Sequence, residues 1–252
     1  MERIRKPFEG VLNIVRFNWH FYVIFVLLVP VMYFILYSYF GTLAALIGVV
    51  VLVVPVIKSL IISYWVYDRS ELYTLNYLDR LNFNEGDVIV NINAGFDETS
   101  EIIQSKFPQA TLEVFDFYDP KKHTEVSIKR ARKAYPPYPG SIAIETSSIP
   151  LDEKSITGVF VFMSAHEIRD KEERISFFKE IHRIVSENGK VIVVEHLRDL
   201  PNLLAYTVGV FHFFGKKNWL HCFSSSKLKL EKEIKITPFV STFILSKNGT
   251  TP

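Results

Sequence analysis

The stretch GDVIVNINAGFDETSEIIQSKFPQATLEVFDFYDP, residues 86–120, decides the fold of this chain. An apolar run at 88–90 leads into a turn of small residues at 93–95, and the letters DETS that follow are a helix-start signal. A second apolar run, 112–115, ends on Asp116. This succession of strand, tight turn, helix, strand and acid predicts the first βαβ unit of an α/β domain. The spacing of about 20 residues between the turn and the acid also fits a carboxylate that binds ribose hydroxyls.

Composition limits the class of protein. A chain of 252 residues can hold one α/β domain of ordinary size with an appendage. The formal net charge of +2 is close to balance, so we expect no nucleic-acid partner. The single cysteine, Cys222, excludes an intramolecular disulfide and a zinc-type cysteine spacing, which suits a reducing compartment.

The first quarter of the chain predicts two membrane-spanning helices. No Asp, Glu, Lys or Arg lies between Arg16 and Lys58. One span needs about 20 apolar residues, so this interval is long enough for two, near 20–40 and 43–62, with a tight turn at Gly41. A signal peptide is disfavoured because the first apolar segment is too long and runs into a second. A buried core hairpin would show a polar stripe at helical spacing, and none is visible.

Basic residues flank the two predicted spans, namely Arg3, Arg5, Lys6 and Arg16 before the first and Lys58 and Arg69 around the end of the second. The positive-inside rule then places both outer ends in the cytoplasm, with only the tight turn across the bilayer. We therefore expect an integral membrane protein whose α/β domain, the part that would carry any activity, faces the cytoplasm, at the plasma or inner membrane in a bacterium. The predicted division is a membrane anchor at 1–62, a juxtamembrane helical linker at 63–85 and an α/β domain at 86–252. The oligomeric state stays open.

Apolar strands alternate with helices over the rest of the chain. We predict helices at 121–135 and 170–185, further strands at 141–145, 155–163 and 190–195, and a closing pair of strands at 231–237 and 240–246. Asn188 and Gly189 are the predicted cap at the end of the second helix. The pattern predicts a mostly parallel seven-stranded sheet that is covered on both faces and ends in an antiparallel hairpin.

Two late segments carry a resemblance to a known family: IPLDEKSITGVFVFMSAHEIRD at 149–170 and FFKEIHRIVSENGKVIVVEHL at 177–197. They resemble the class I S-adenosylmethionine-dependent methyltransferases, in the branch with a domain like that of ubiquinone-biosynthesis methyltransferases. The resemblance covers roughly residues 67–247. It implies a Rossmann-like α/β domain with S-adenosylmethionine as the cofactor.

The glycine motif of this family is degenerate in the chain. Laid on the motif, Asn91 stands at its acid, Asn93 at its first glycine and Asp97 at its third. Gly95 keeps the second glycine, and Asp116 keeps the acid that binds the ribose. The resemblance implies that these five residues bind the cofactor. Asn91 can equally be a residue that satisfies buried backbone groups at the strand end.

The resemblance implies further cofactor contacts. Thr146 and Ser147 stand where the family usually has an acid near the adenine, and Ser164 and Ala165 would flank the methionine portion. Tyr67 precedes the domain, where related enzymes often fold an N-terminal helix over the cofactor. Packing of a juxtamembrane helix is the alternative for Tyr67.

The charges at the turn after the first strand discriminate between a dinucleotide and S-adenosylmethionine as the cofactor. The pyrophosphate of a dinucleotide would lie at the helix N-terminus, where Asp97 and Glu98 place two carboxylates. S-adenosylmethionine carries no phosphate and has a sulfonium and an ammonium cation, so acids near the turn are acceptable. Asn93 and Asp97 also tolerate the left-handed backbone that the missing glycines would supply. A nicotinamide oxidoreductase is therefore the poorer interpretation.

His166 and Glu167 follow the fourth predicted strand, and His196 ends the fifth, so all three lie at the carboxyl edge of the sheet. A histidine with a pKa near neutral could accept a proton from the methyl acceptor, and His166-Glu167 could instead cap the next helix. We expect no metal, because the two histidines are 30 residues apart, no third ligand has an evident spacing, and the family needs none.

The aromatic-rich segment 200–223 could form an apolar wall for a substrate, or pack as a helix on the sheet. Together with the membrane anchor, it favours a methyltransferase that acts on a small lipophilic acceptor at the bilayer. The alternative is a catalytically degenerate methyltransferase-like domain that serves as a membrane binding or assembly module.

Overall fold

One β-sheet lies at the centre of the part of the chain that the computed structural model describes, residues 5–247. Its strands are β1 (Val88–Asn93), β2 (Thr111–Asp116), β3 (Ile142–Ala143), β4 (Ile156–Phe162), β5 (Val185–His196), β6 (Leu228–Thr237) and β7 (Val240–Lys247). Their order across the sheet is β3-β2-β1-β4-β5-β7-β6. Strand β7 runs antiparallel to both neighbours, and the pairs among β1 to β5 are parallel. The predicted sheet is confirmed.

Alternate residues of the central strands point to opposite faces of the sheet, and both faces are buried. On β4, Val159 and Val161 belong to one hydrophobic cluster, whereas Phe160 and Phe162 belong to the other. Strand β5 alternates in the same way. Burial on both faces explains why these strands are continuous apolar runs in the sequence rather than alternating ones.

Helices cover the two faces of the sheet. They are α3 (Ser100–Lys106), α4 (Val126–Ala134), α5 (Lys171–Ile184), α6 (Leu200–Tyr206) and α7 (Lys216–Ser225). On one face, Phe178 of α5 packs on Trp219 of α7, and both side chains are fully buried. On the other face, Ile102 and Ile103 of α3 join the second cluster.

The end of α5 differs from the prediction. Asn188 and Gly189 do not cap the helix, because α5 ends at Ile184 and β5 begins directly afterwards. The register of β5 against β4 shifts just after Ile156, and a Cβ at Gly189 would lie 2.9 Å from the carbonyl oxygen of Ile156. Gly189 therefore allows a close approach of two strands, and this tertiary contact overrides the local helix-stop signal.

The segment 63–85 is less helical than predicted. Beyond the end of the long helix, its regular elements are a π-helical turn, Trp65–Arg69, and a 3-10 helix, Asn76–Leu78. Leu72 and Leu75 are fully buried on the sheet face that also holds α3. Packing onto the sheet, rather than helical periodicity, sets the conformation of this segment.

A long apolar helical segment precedes the sheet. A short helix, α1 (Glu9–Phe17), leads into α2 (Trp19–Tyr64), which is interrupted at Gly41 with a φ of 79° and a ψ of 179°. The Leu36 side chain occupies the position of a Cβ at Gly48, although a straight helix would hold these two residues about 18 Å apart. The chain therefore reverses at Gly41, where the sequence predicts a hairpin.

Among the described residues, one helical segment, Trp19–Arg69, is long and apolar enough to cross a membrane, and its most apolar part is almost wholly exposed. The two predicted spans are thus one helical segment broken at Gly41, and its insertion into a bilayer stays a prediction. Arg3, which the sequence places among the flanking charges, lies outside the described residues.

Both ends of α2 lie against the sheet domain. At the start, Arg130 of α4 donates from Nη1 to the carbonyl oxygen of Phe17 at 2.6 Å and contacts His20 Nδ1 at 2.8 Å. At the other end, Trp65 packs edge-on against Phe239 in the β6–β7 turn. Because β6 runs parallel to β5, that turn belongs to the carboxyl edge of the parallel strands. The apolar hairpin therefore emerges beside this edge.

Candidate functional site at the carboxyl edge of the sheet

The turn after β1 is held by its own side chains. Asn93 Oδ1 accepts a hydrogen bond from the backbone N–H of Gly95 at 3.0 Å. Gly95 has a φ of 93°, and neither Asn93 nor Asp97 adopts a positive φ. The expectation that these two residues would replace glycine in the left-handed region is therefore wrong. One glycine is sufficient because the asparagine side chain closes the turn.

Asp97 and Asn91 organise the start of α3. Asp97 Oδ1 accepts from the backbone N–H groups of Thr99 and Ser100 at 3.0 and 2.9 Å. Asn91, fully buried on β1, donates from Nδ2 to the hydroxyls of the same two residues at 3.0 and 2.8 Å. Asp97 thus caps the helix, and these N–H groups are not available to a phosphate. This arrangement strengthens the argument against a dinucleotide.

Asp116 lies at the tip of β2 and is largely buried. Its Oδ1 accepts from the backbone N–H of Tyr118 at 2.9 Å, and its Oδ2 accepts from Arg132 Nη1 of α4 at 2.5 Å. The Arg132 guanidinium also stands 4.3 Å from the ring centre of Tyr118. A Cβ at Gly95 would lie 2.8 Å from Arg132 Nη1. Arg132 therefore covers both the strand-tip acid and the glycine of the turn.

A cavity of about 170 Å³ opens between the turn after β1 and the end of β4. Its lining includes Tyr73, Asn93, Phe96, Glu98, Thr99 and Ser164. Ser164 itself is buried and donates to the carbonyl oxygen of Ile92 at 2.9 Å, which ties the two strand ends together. Ala165, the first residue of the 3-10 turn Ala165–Glu167, is itself fully buried and offers no exposed atoms to a ligand. We call this space the methionine-side cavity.

Arg5 joins two residues of the methionine-side cavity, Tyr73 and Glu98, although Arg5 is not itself in the cavity lining. Arg5 Nη1 binds Glu98 Oε1 at 2.8 Å, and the Tyr73 hydroxyl donates to Glu98 Oε2 at 2.8 Å. The Arg5 guanidinium lies 3.7 Å from the centre of the Tyr73 ring. Within the described part of the chain, Arg5 Nη2 is buried and has no hydrogen-bond partner. The sequence motifs did not identify Arg5 or Glu98 as site residues.

A larger groove of about 810 Å³ lies on the other side of Asp116, beyond the ends of β2 and β3. Tyr118, Thr146 and Ser147 line it, as the predicted adenine-side positions require. The Thr146 hydroxyl donates to Glu173 Oε1 at 2.6 Å. The structure thus brings the predicted residues Asn93, Asp116, Thr146, Ser147 and Ser164 to one edge, divided by Arg132.

His166 is held between carboxylates at the end of β4. Its Nδ1 lies 2.6 Å from Glu195 Oε2, and its Nε2 lies 3.3 Å from Glu167 Oε1. Burial alone would lower the pKa of His166, but the neighbouring Glu195 and Glu167 raise it to about 10. The expectation of a pKa near neutral is therefore wrong, because the sequence did not show that two carboxylates flank the ring.

His196 is part of the interior. Its Nδ1 lies 2.9 Å from the carbonyl oxygen of Phe239 and so carries the proton, and its Nε2 accepts from the Tyr67 hydroxyl at 2.7 Å. Burial lowers the pKa of His196 to about 4. Neither His196 nor Tyr67 lines the methionine-side cavity. Both residues thus help to pack the segment after α2 against the end of β5. Packing of this kind is the alternative given for Tyr67.

A third residue, His212, joins His166 and Glu167. Its Nε2 lies 3.5 Å from Glu167 Oε1, and one potential ligand atom of each residue lies within 4.8 Å of the others. The sequence shows no third ligand with an evident spacing, and His212 is the residue that the fold adds to this pair; the expected absence of a metal stays a prediction. A 3-10 segment, Thr207–His212, folds back over the end of β4, and nothing in the sequence spacing signals that return.

The strand order, with a reversed β7 between β5 and β6, defines the Rossmann-like class I methyltransferase fold. No protein-family model matches the chain, and no curated protein matches its sequence. A SAM-dependent methyltransferase from Aquifex aeolicus is similar in structure, with a TM-score of 0.51 and 12% identity over 76% of this chain and 97% of that one. The geranyl diphosphate C-methyltransferase from Streptomyces coelicolor A3(2) has a TM-score of 0.50 and 10% identity over 69% of this chain and 77% of that one. At these identities the likeness is one of fold.

Proposed function

We propose that this protein is a membrane-anchored S-adenosylmethionine-dependent methyltransferase that transfers a methyl group to a small lipophilic acceptor. One observation carries the proposal: an acid at the tip of β2 and a polar-rimmed cavity meet at the carboxyl edge of a class I methyltransferase sheet, beside an apolar hairpin. When bound, the cofactor supplies an already activated methyl group. The chain then has to bind the cofactor and the acceptor, orient them toward each other and exclude water.

The methionine-side cavity suits the amino-acid end of the cofactor. An ammonium entering there would find Glu98, which lines the cavity, and the Arg5 guanidinium that pairs with Glu98 would be the nearest cation for a carboxylate. Both groups are charged and partly buried, and charge-assisted hydrogen bonds are stronger than neutral ones. The residues present therefore fit the methionine half.

The ribose half fits after one movement. Asp116 has the position and the charge to accept hydrogen bonds from two ribose hydroxyls, but Arg132 occupies its Oδ2. Arg132 is about a third exposed, so its ion pair with Asp116 contributes little, on the order of 1 kcal/mol or less. A nucleoside can therefore displace Arg132 from Asp116 at a small cost in free energy. Thr146 and Ser147 line the groove that the base would enter.

Exposed apolar surface supports the membrane part of the proposal. Phe34, Leu43 and Val51 of the hairpin are 65%, 73% and 63% exposed, and the hairpin leaves the domain beside the site. On α6 and the segment after it, Leu200 and Val208 are 65% and 79% exposed. A contiguous apolar surface of this kind is typical of a membrane contact. Trp219 and Phe223 of the same aromatic-rich region pack on the sheet, which is the second role predicted for that region.

A bilayer at the hairpin would hold the carboxyl edge close to membrane-resident molecules and so raise their effective concentration. The structural neighbour from Streptomyces is, by its name, a methyltransferase for geranyl diphosphate, a lipophilic chain. Both ends of α2 lie next to the domain, so the domain and the basic flanks Arg16 and Lys58 share one side. By the positive-inside rule we infer that this side is the cytoplasm.

Incubation of membranes that contain the full chain with methyl-labelled S-adenosylmethionine tests the function. We expect label to pass into the organic-solvent extract, with quinone- or polyprenyl-containing vesicles as the acceptor source. D116A should abolish the transfer. Label in water-soluble products alone would refute the lipophilic acceptor, and no transfer with intact cofactor binding would refute the enzyme.

A degenerate binding or assembly module is the second candidate, and the Asp116–Arg132 ion pair is the observation that favours it. If this pair is permanent, the chain has lost its cofactor site and keeps only the fold. Calorimetric titration with S-adenosylmethionine separates the two candidates, since the module predicts no binding by the wild type, whereas the enzyme predicts binding by the wild type and tighter binding by R132A.

A further inference from the structure

His166, Glu167 and His212 form a mixed histidine and carboxylate cluster at the end of β4. Glu167 Oε1 lies 3.3 Å from His166 Nε2 and 3.5 Å from His212 Nε2. Two ligand atoms that bind one tetrahedral ion at about 2.1 Å stand about 3.4 Å apart. Two of the three pairs thus have the spacing of ligands around a common ion, and the three ligand atoms all lie within 4.8 Å of one another.

A carboxylate lies on the far side of each histidine ring, within hydrogen-bond distance for His166 and somewhat farther for His212. His166 Nδ1 lies 2.6 Å from Oε2 of the fully buried Glu195, which also accepts from the backbone N–H of His166 at 3.2 Å. His212 Nδ1 lies 3.8 Å from Glu125 Oε1. A carboxylate behind the ring fixes its tautomer and turns the other nitrogen toward the ion. Glu195 has this position for His166, and Glu125 is near it for His212.

We propose that His166, Glu167 and His212 bind one divalent transition-metal ion, with Glu195 as the residue that orients His166. Two imidazoles and one carboxylate favour ions such as Zn²⁺, Co²⁺ or Fe²⁺ over Mg²⁺ and Ca²⁺, which prefer oxygen ligands. Three protein ligands leave at least one further position for water or another ligand. A site of this composition is therefore of the open type rather than the closed structural type.

The position of Glu167 connects the cluster to the proposed substrate region. Glu167 lines the methionine-side cavity, the groove beyond β2 and a smaller cavity between them under α4. An oxygen atom of the methyl acceptor, such as a hydroxyl or a phosphate, can complete the coordination of an ion there. This role toward the acceptor rests on the proposed function, whereas binding of the ion does not.

Cobalt titration of the full chain tests the site. The protein is purified in detergent, stripped with EDTA and dialysed, then titrated with Co²⁺ while its visible absorption and heat are recorded. We expect one ion per chain and the d–d bands of a site with nitrogen and oxygen ligands. H212N and E167Q should each weaken Co²⁺ binding at least about hundredfold, and E195Q about 10- to 100-fold.

The matched control is H221N, which changes an exposed histidine of α7 outside the cluster and should leave Co²⁺ affinity unchanged. Equal loss in H221N and H212N, or wild-type binding that neither H212N nor E167Q weakens, overturns the proposal. His212 does not line the methionine-side cavity, so H212N should keep the affinity for S-adenosylmethionine. Failure of the metal site is thus distinguishable from failure of cofactor binding, and circular dichroism shows that each variant is folded.

Discussion

The two halves of the candidate cofactor site differ in how they are held. On the methionine side, Arg5 and Tyr73 share Glu98, and among residues 5–247 no group accepts a hydrogen bond from the buried Nη2 of Arg5. On the nucleoside side, Asp116 has both oxygens engaged, one of them by Arg132. The first half is formed in advance, and the second must exchange an internal ion pair for ribose. The difference predicts that affinity for S-adenosylmethionine is limited by the nucleoside half.

The largest expected effect comes from Asp116. D116A removes a carboxylate that would bind two ribose hydroxyls, and hydrogen bonds to a charged group contribute about 1.5–3 kcal/mol each. We expect the affinity for S-adenosylmethionine to fall at least about tenfold by calorimetry. D152A, at an exposed position before β4, is the control. Unchanged affinity in D116A would show that the ribose lies elsewhere.

Substitution of Arg5 distinguishes binding at the methionine half from binding at the nucleoside half. R5A should weaken the binding of S-adenosylmethionine about tenfold, because a charged contact to the methionine carboxylate is lost. It should leave the binding of adenosine unchanged, since adenosine has no methionine portion. D116A, by contrast, should weaken both ligands. The neighbouring K6A is the control, and a loss of adenosine affinity in R5A would contradict the assignment of Arg5 to the methionine side.

Arg132 should act in the opposite direction. R132A frees Asp116 Oδ2 and the space over Gly95, so we expect the affinity for S-adenosylmethionine to rise by a few-fold, up to about fivefold, since a partly exposed ion pair contributes at most about 1 kcal/mol. K133A, an exposed lysine on the same helix, should change nothing. A loss of affinity in R132A would mean that Arg132 contacts the ligand instead of covering its site.

The smallest effect concerns His196, which lies outside the cofactor cavity. Because burial lowers its pKa to about 4, His196 should stay neutral while the pH falls from 7 to 5, with the proton on Nδ1. NMR of histidine labelled with ¹⁵N in the rings measures this directly. Y67F should shift only the Nε2 signal, since the Tyr67 hydroxyl donates there. Protonation of His196 near pH 6.5 would contradict its place in the interior.

Much of the fold follows from local sequence patterns. The apolar runs that become β1, β4 and β5 and the acid at the end of β2 are visible in the sequence, and the strand order follows from the resemblance. The site is less predictable, because its pairs join distant positions. Arg5 and Glu98 are 93 residues apart, and only folding of the segment before α1 onto the turn after β1 brings them together.

The same reason explains the wrong predictions. Asn188 and Gly189 have the local signature of a helix end, yet the approach of β5 to β4 decides their conformation. From the sequence alone, His166 is expected to have an ordinary pKa, because nothing in the sequence shows that Glu195 of the next strand lies behind its ring. His212 reaches the same place from a segment without recognisable spacing. The pKa values and hydrogen-bond partners at the carboxyl edge of the sheet depend on long-range contacts, and these cannot be predicted from the identity of single residues.

Calorimetric titration of the detergent-solubilised full chain with S-adenosylmethionine tests the central claim most directly, with NADPH titrated in parallel. The account predicts one bound S-adenosylmethionine per chain, tighter binding in R132A, and no heat from NADPH, because Asp97 occupies the N–H groups that a phosphate would need. Binding of NADPH, or no binding of S-adenosylmethionine by the wild type, would contradict it.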